Sequence, residues 1–301
     1  MENIQHLNER RLADAWAELQ AQANNGTPLQ ADAYRLAFAD PEFLLRRETR
    51  GLRFQLEMLK PDLAQQALGI ENTIVVFGSA RFRETSEAQA MLDQAQAAGD
   101  AQAIDRAKKL LRNAPYYDQA REFARTVARY SARCEQAGMP EDRLFICTGG
   151  GPGIMEAANR GAFEAGARSI GLNVTLPHEQ EPNPFISPEL AFRFRYFALR
   201  KMHFLLRARA LVAFPGGYGT LDELFEVLTL VQTGKMARIP IVLVGREFWR
   251  RAVDFDYLVE EGFISAQDVR LFTCVDAAEE IVAVLEAFYG GKPPAPEGAQ
   301  E

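Results

Sequence analysis

A chain of 301 residues, 48% hydrophobic and 25% charged, can bury a large core and lacks the polar excess of a disordered polypeptide. Its formal charge of −7 disfavours non-specific binding to nucleic-acid backbones or anionic membranes, yet leaves room for a local basic pocket that takes one phosphorylated small molecule. Three cysteines (Cys134, Cys147, Cys274) form no CxxC pair and three histidines (His6, His178, His203) have no metal-ligand spacing, so free buried thiols and no metal or cofactor are expected.

The amino-terminal stretch carries no signal-like apolar run, and no segment has the length needed to span a bilayer, so the expected location is cytoplasmic. Residues 1–70 read as a helical extension. Leu7, Leu12, Trp16 and Leu19 recur near helical spacing; a second pattern over Phe43, Leu44, Leu52, Leu56 and Leu59 stops at Pro61, and packing is its expected role. The texture changes at Thr73. Thr73–Phe77 is a β-branched apolar run ending in Gly78-Ser79, and runs of the same kind follow at 144–147, 169–172, 210–214 and 241–244, with a weaker one at 271–275. Helical patterns at 117–136, 153–165, 192–209, 221–233 and 277–288 separate them. Alternation of this type predicts an α/β fold with a doubly wound parallel sheet over 71–289, interrupted by an exposed helical insertion near 84–115. The Gly/Pro-rich segment 290–301 is expected to be a disordered tail.

In an open parallel sheet, ligands bind beyond the carboxyl ends of the strands. Three glycine-bearing loops fall at such ends: Gly78-Ser79-Ala80-Arg81, then Thr148-Gly149-Gly150-Gly151-Pro152-Gly153, then Pro215-Gly216-Gly217-Tyr218-Gly219-Thr220. Glycine permits tight turns and close backbone approach, and free N–H groups at a helix start suit a phosphate. One such loop is weak evidence; three at strand ends point to a phosphate or nucleotide site. The second loop is not a P-loop, since no Gly-Lys-Ser/Thr follows it, and the first strand lacks the GxGxxG signature of a nicotinamide-binding fold. Asp222 and Glu223 are expected in the first turn of the helix after the third loop, with Glu226 beyond. First-turn acids often only complement the helix dipole, but a carboxylate beside a phosphate site can also face a ribose hydroxyl or a developing positive charge at the anomeric carbon. The helical pattern 192–209 carries Arg193, Arg195 and the pair Arg200-Lys201. Arg193 and Arg195 are expected on a solvated face, whereas Arg200-Lys201 can lie beside the third loop.

The runs Gly78-Ser79, Thr148–Glu156, Arg200-Lys201-Met202 and Pro215–Glu223 together resemble the LOG ("Lonely guy") family, whose members have also been labelled lysine decarboxylase-like. The resemblance covers roughly 73–288 and rests most on PGGxGTxxE with the upstream Arg-Lys. It implies a Rossmann-like fold and hydrolysis of the N-glycosidic bond of a nucleoside 5′-monophosphate, AMP or a cytokinin riboside monophosphate, to free base and ribose 5-phosphate. Carried over by motif, Arg200 and Glu223 would be catalytic. Gly78, Ser79, Gly150, Gly151, Gly153, Lys201, Gly216, Gly217, Tyr218, Gly219 and Thr220 would bind substrate, with Glu179 and Thr229 as less secure matches. A homodimer or higher homo-oligomer is expected. The alternatives are a non-hydrolytic nucleotide or phosphorylated-cofactor carrier and, less favoured, a lysine decarboxylase. The extension before Thr73 and the 84–115 insertion depart from the compact family pattern.

Overall fold

The structure, a computed structural model, describes residues 36–175 and 181–290. The chain divides into two compact units, the first ending at Leu59 and the second beginning at Lys60. In the first, a 3₁₀ turn (Ala37–Ala39) leads to the short helix α1 (Pro41–Leu45). Asp40 caps α1 by accepting from the N–H groups of Glu42 and Phe43 at 3.0 and 3.1 Å, satisfying two donors that a helix start leaves open. Helix α2 (Arg50–Ala67) follows and runs through Pro61, where the sequence pattern places a stop. Leu52, Leu56 and Leu59, expected to pack, are about half exposed.

The second unit is a seven-stranded sheet with helices on both faces. After β1 (Thr73–Phe77) come helices α3 (Thr85–Ala98) and α4 (Ala101–Gln136). Next are β2 (Phe145–Thr148), α5 (Ile154–Glu164), β3 (Ser169–Val174), β4 (Ala191–Phe194), α6 (Phe197–Leu206), β5 (Ala208–Ala213) and α7 (Tyr218–Gln232). The chain continues through β6 (Ile241–Val244), α8 (Arg246–Ala252), α9 (Phe255–Glu260), β7 (Phe272–Val275) and α10 (Ala278–Phe288). The spatial order is β4-β3-β2-β1-β5-β6-β7, and every neighbouring pair is parallel. Strand order therefore reverses between β1 and β5, the place where a doubly wound sheet opens a crevice at its carboxyl edge.

Alternation along the strands divides the core in two. Ile74 and Val76 of β1 join Phe123, Ala124, Ile154 and Ile281 on one face, whereas Val75 and Phe77 join Phe194, Phe204, Leu224 and Trp249 on the other. Both faces being covered explains why the central strands read as unbroken apolar runs.

Two local readings are corrected by the structure, and a third is given its boundaries. The pattern at 192–209 is not one helix: Ala191–Phe194 is the edge strand β4, with Phe192 and Phe194 buried and Arg193 exposed, followed by α6. The stretch 84–115 is helical and largely exposed: it forms α3 plus the first part of α4, a 36-residue helix that contains Pro115 and continues without a break through the pattern at 117–136. Small residues allow close packing there: Ala88, Ala95, Ala107 and Ala114 are buried, and a Cβ at Gly161 of α5 would lie 2.0 Å from the carbonyl oxygen of Arg121. Finally, α7 begins at Tyr218, so Asp222 and Glu223 stand in its second turn and no acid occupies the first.

Among the described residues no helix is long and apolar enough to cross a membrane, and no cluster of His, Cys, Asp and Glu is suited to a metal ion. Cys134 and Cys147 are buried, and burial pushes the Cys147 thiol up, which makes it a poor nucleophile.

Candidate active site at the switch point of the sheet

A cavity of about 610 Å³ opens at the carboxyl ends of β1, β2, β3 and β5, astride the reversal between β1 and β5. A second, apolar cavity of about 180 Å³ lies at the opposite edge, where Ile74, Leu144 and Ala210 begin their strands. We place the chemistry in the first, because only there do glycine loops, a helix start and a buried acid–base pair converge.

The three loops support one another. Ser79 donates its N–H to the Pro215 carbonyl at 3.0 Å, and its own carbonyl accepts from the Ile154 N–H at 3.0 Å. Gly153 has φ +72°, and a Cβ there would stand 2.3 Å from the Ser79 carbonyl oxygen, so only glycine fits the junction. The second loop is held from beneath by buried polar groups. Thr148 Oγ1 donates to Asn159 Oδ1 at 2.7 Å and accepts from the Gly150 N–H at 3.0 Å. Asn183 donates through Nδ2 to Asn159 Oδ1 and to the Gly151 carbonyl, each at 3.0 Å, while its N–H meets the Gly150 carbonyl at 2.9 Å. Every partner in this chain is buried, which is the condition under which such a network rigidifies a loop.

The third loop becomes the amino end of α7. The N–H groups of Thr220 and Leu221 turn back to the Gly217 carbonyl, both at 3.0 Å, whereas those of Tyr218 and Gly219 have no acceptor among the described residues. Gly217 and Gly219 line the cavity, and a Cβ on either would meet nothing within 4 Å. Their lack of side chain keeps cavity volume open rather than relieving a clash. Gly216 differs: a Cβ there would strike Thr220 Oγ1 at 2.1 Å.

Glu223, one turn into α7 and 5% exposed, meets Arg200 of α6, whose Nη2 donates to its Oε1 at 3.2 Å. The Arg200 guanidinium is stacked on Phe197 (4.3 Å to the ring centroid) and faces Phe204 (5.5 Å), and its Nε is buried without an acceptor. Burial raises the Glu223 carboxyl above its ordinary value against the attraction of Lys201 and Arg200, and burial likewise lowers Arg200 despite the carboxylate. Both directions say the same thing: desolvation of this pair outweighs its mutual attraction. Lys201, next on α6, points elsewhere. Its Nζ lies 2.8 Å from Asp222, 2.7 Å from Glu226 and 3.6 Å from Glu223. Burial alone would lower this amine, but hydrogen bonds to Asp222 and Glu226 and the surrounding carboxylates raise it overall.

The residues singled out from sequence thus separate into groups. Gly78, Ser79, Gly151, Gly217, Tyr218, Gly219, Thr220, Arg200 and Glu223 line the cavity. Gly150, Gly153 and Gly216 shape its loops without lining it. Lys201 and Thr229 line a shallow neighbouring groove, and Thr229 Oγ1 donates to the Phe225 carbonyl of its own helix. Glu179 lies outside the described residues. Met155, Asn173, Val174, Phe197 and Arg81 also line the cavity; Met155 and Arg81 fall inside stretches marked in sequence without a role there, whereas Asn173, Val174 and Phe197 carry no motif, and β3 continuing two residues past Leu172 delivers Asn173 and Val174.

Fold and site together define a doubly wound α/β protein with an anion-ready helix start and a buried carboxylate–guanidinium pair in its switch-point crevice. A family model described as "Possible lysine decarboxylase" matches residues 155–285. Cytokinin riboside 5′-monophosphate phosphoribohydrolase LOG7 of Arabidopsis thaliana is 32% identical over 154 residues, 49% of this chain and 69% of the relative. LOG1 of the same plant is 33% identical over 149 residues, covering 48% and 68%. The chain belongs to this LOG family. Among solved structures, a molybdenum cofactor binding protein from Rippkaea orientalis aligns over 73% of this chain and 98% of its own, with a TM-score of 0.43 and 16% identity. The molybdenum cofactor carrier protein from Chlamydomonas reinhardtii gives 0.43 and 19%, over 73% and 99%.

Proposed function

We propose that the protein hydrolyses the N-glycosidic bond of a nucleoside 5′-monophosphate, AMP or a cytokinin riboside monophosphate, releasing free base and ribose 5-phosphate. The observation that carries this reading is the placement of buried Glu223 one helical turn from the open amides of Tyr218 and Gly219, in a single cavity. A phosphate held at the start of α7 sets the sugar beside the carboxylate, and phosphate binding energy then orients the anomeric carbon for attack.

In the proposed reaction the C1′–N bond breaks with its electron pair going to the base, which takes up a proton as it leaves. Positive charge spreads over C1′ and the ring oxygen, and the Glu223 carboxylate stabilises it electrostatically. Water adds its oxygen to C1′ and gives a proton to Glu223 or solvent. Arg200 orients Glu223 and favours its ionised form.

A decarboxylase mechanism through a lysine Schiff base finds no support in the candidate lysine. Such a lysine needs a depressed pKa, and Lys201 is raised by its carboxylate partners and lies outside the cavity.

Incubation of purified protein with AMP and isopentenyladenosine monophosphate, followed by chromatography of the products, tests the reading. Free base and ribose 5-phosphate in equal amounts are expected, with turnover lost in Glu223→Gln. Nucleotide recovered intact but tightly bound would make the protein a carrier.

A further inference from the structure

The site has a charge problem that its family-motif residues do not solve. A nucleoside monophosphate brings nearly two negative charges on its phosphate, into a protein whose own formal charge is −7. The two cations singled out by sequence are already committed. Arg200 is paired with Glu223, and Lys201 is held by Asp222 and Glu226 and lines the neighbouring groove. The amides at the start of α7 supply hydrogen bonds and a partial charge, not a full counter-charge.

Arg81 is the other cation lining the cavity. Its side chain is exposed and makes no hydrogen bond or ion pair with any described residue, unlike its neighbour Arg83, which pairs with Glu87 at 3.4 Å. Its backbone, by contrast, is fixed. The Arg81 N–H donates to Ser79 Oγ at 3.2 Å, and Ser79 is tied to Pro215 on one side and to Ile154 on the other. The turn therefore fixes Arg81, whose guanidinium has no partner among the described residues, on the lining of the same cavity that receives the α7 amides from the β5 loop. Ser79 spends its N–H on Pro215, so that amide is not open to an anion.

We propose that Arg81 is the phosphate-neutralising residue of this cavity and sets its preference for phosphorylated over unphosphorylated nucleosides. The inference rests on the nucleotide reading of the site and adds a residue that the motif comparison leaves out. A guanidinium bonds a phosphate bidentately, through charge-assisted hydrogen bonds. Removing it is expected to weaken phosphate binding by about 10- to 100-fold. Because Arg81 is exposed and supports no neighbour, its truncation leaves the fold unchanged.

The test uses Arg81→Met and Arg81→Lys in the full chain with two readouts. The first is equilibrium binding of inorganic phosphate and ribose 5-phosphate by calorimetry, which needs no turnover. The second is steady-state hydrolysis of AMP and of adenosine. Arg81→Met should weaken both phosphate ligands by about 10- to 100-fold and lower kcat/KM for AMP to match, with a smaller change in kcat/KM for adenosine, which has no phosphate to lose; Arg81→Lys should recover part of the loss. Wild-type phosphate affinity in Arg81→Met, or no phosphate binding by the wild type, overturns the assignment. If phosphate binding depends on Arg81 but no nucleotide is cleaved, the anion assignment stands and the hydrolase reading falls. If AMP is cleaved with the same kcat/KM in wild type and Arg81→Met, the reverse holds.

Discussion

The Arg200–Glu223 pair makes a prediction in which stability and activity part company. At contact, two unit charges attract by about 4 kcal/mol at an effective dielectric of ~20. The raised carboxyl and lowered guanidinium indicate that burial costs more than this attraction returns. Each single replacement then strands a buried charge. Arg200→Met leaves Glu223 with the Lys201 ammonium 3.6 Å away, and Glu223→Gln leaves Arg200 with the Phe197 and Phe204 rings. These residual partners soften a penalty of about 3–5 kcal/mol for a fully stranded charge to about 2 kcal/mol. In a chain of this size that lowers the thermal midpoint by about 4 °C. The double replacement removes both charges and keeps the shape, so it should return to within about 0.5 kcal/mol of wild type, a coupling of more than about 3 kcal/mol in the double-mutant cycle. Hydrolysis is different: each single variant and the double should lose about 10²- to 10³-fold in kcat, since charge stabilisation is absent in all three. Thermal unfolding of the four proteins at neutral pH, with AMP turnover measured alongside, supplies the numbers. Additive destabilisation in the double variant would refute the claim that desolvation dominates this pair.

Other consequences follow from the same geometry. Gly219→Ala should fold normally, and even gain about 0.5–1 kcal/mol from helix propensity, while nucleotide KM rises because the methyl enters open cavity; Gly216→Ala should instead lower the melting temperature, having Thr220 Oγ1 2.1 Å from its new Cβ. The acid limb of kcat/KM should lie above ~4.5, because burial raises the Glu223 carboxyl that must ionise, and it should move higher still in residual Arg200→Met activity. Stability has its own acid dependence at Glu164, which hydrogen bonds to Arg121, Arg125 and Arg160 hold down at about 2. A lowered carboxyl contributes stability that is present above ~4.5 and lost as pH falls towards 2, about 2 kcal/mol once solvent screening is allowed for; acid titration of the unfolding free energy should show that loss in wild type and a flatter profile in Glu164→Gln.

Much of this architecture is legible in the amino-acid order. Strands buried on both faces write themselves as β-branched runs, and glycines clustered after such runs mark the crevice. What escaped has physical causes. Strand β4 is an edge strand of four residues whose buried aromatics alternate with exposed arginine, and it runs into an aromatic-rich helix, so period two and period 3.6 blur. Pro61 reads as a helix stop and the break near 115 as the boundary between two helical stretches, yet Pro61 and Pro115 each sit inside a helix. Tyr218 opens α7 although glycines flank it, a boundary that tertiary packing decides rather than local propensity. Adjacency of Arg200 and Lys201 gives no hint that successive helical residues diverge by about 100°, which sends one to the cavity and the other to the groove beside it. Arg81 stands at the end of the first glycine-bearing loop, but nothing in the sequence separates it from Arg83 two residues on, which pairs with Glu87.

The cross-links through Ser79 bear on how this site can diversify. Its carbonyl and amide join the loops after β1, β2 and β5, and Gly153 is wedged against it. A change in any one loop is transmitted to the other two, so the crevice floor behaves as one inherited part that descendants must keep or lose whole. Residues at the mouth carry no such bonds to one another: Met155, Val174 and Phe197 reach the cavity from three separate elements. Under the nucleotide reading, replacements at Met155 and Val174 can reshape the room for a base while the loop floor stays the same, whereas Phe197 is tied to Arg200 by stacking. On that reading, a protein with this scaffold can change the ligand it accepts by single replacements at the cavity wall, without touching the bonded loops.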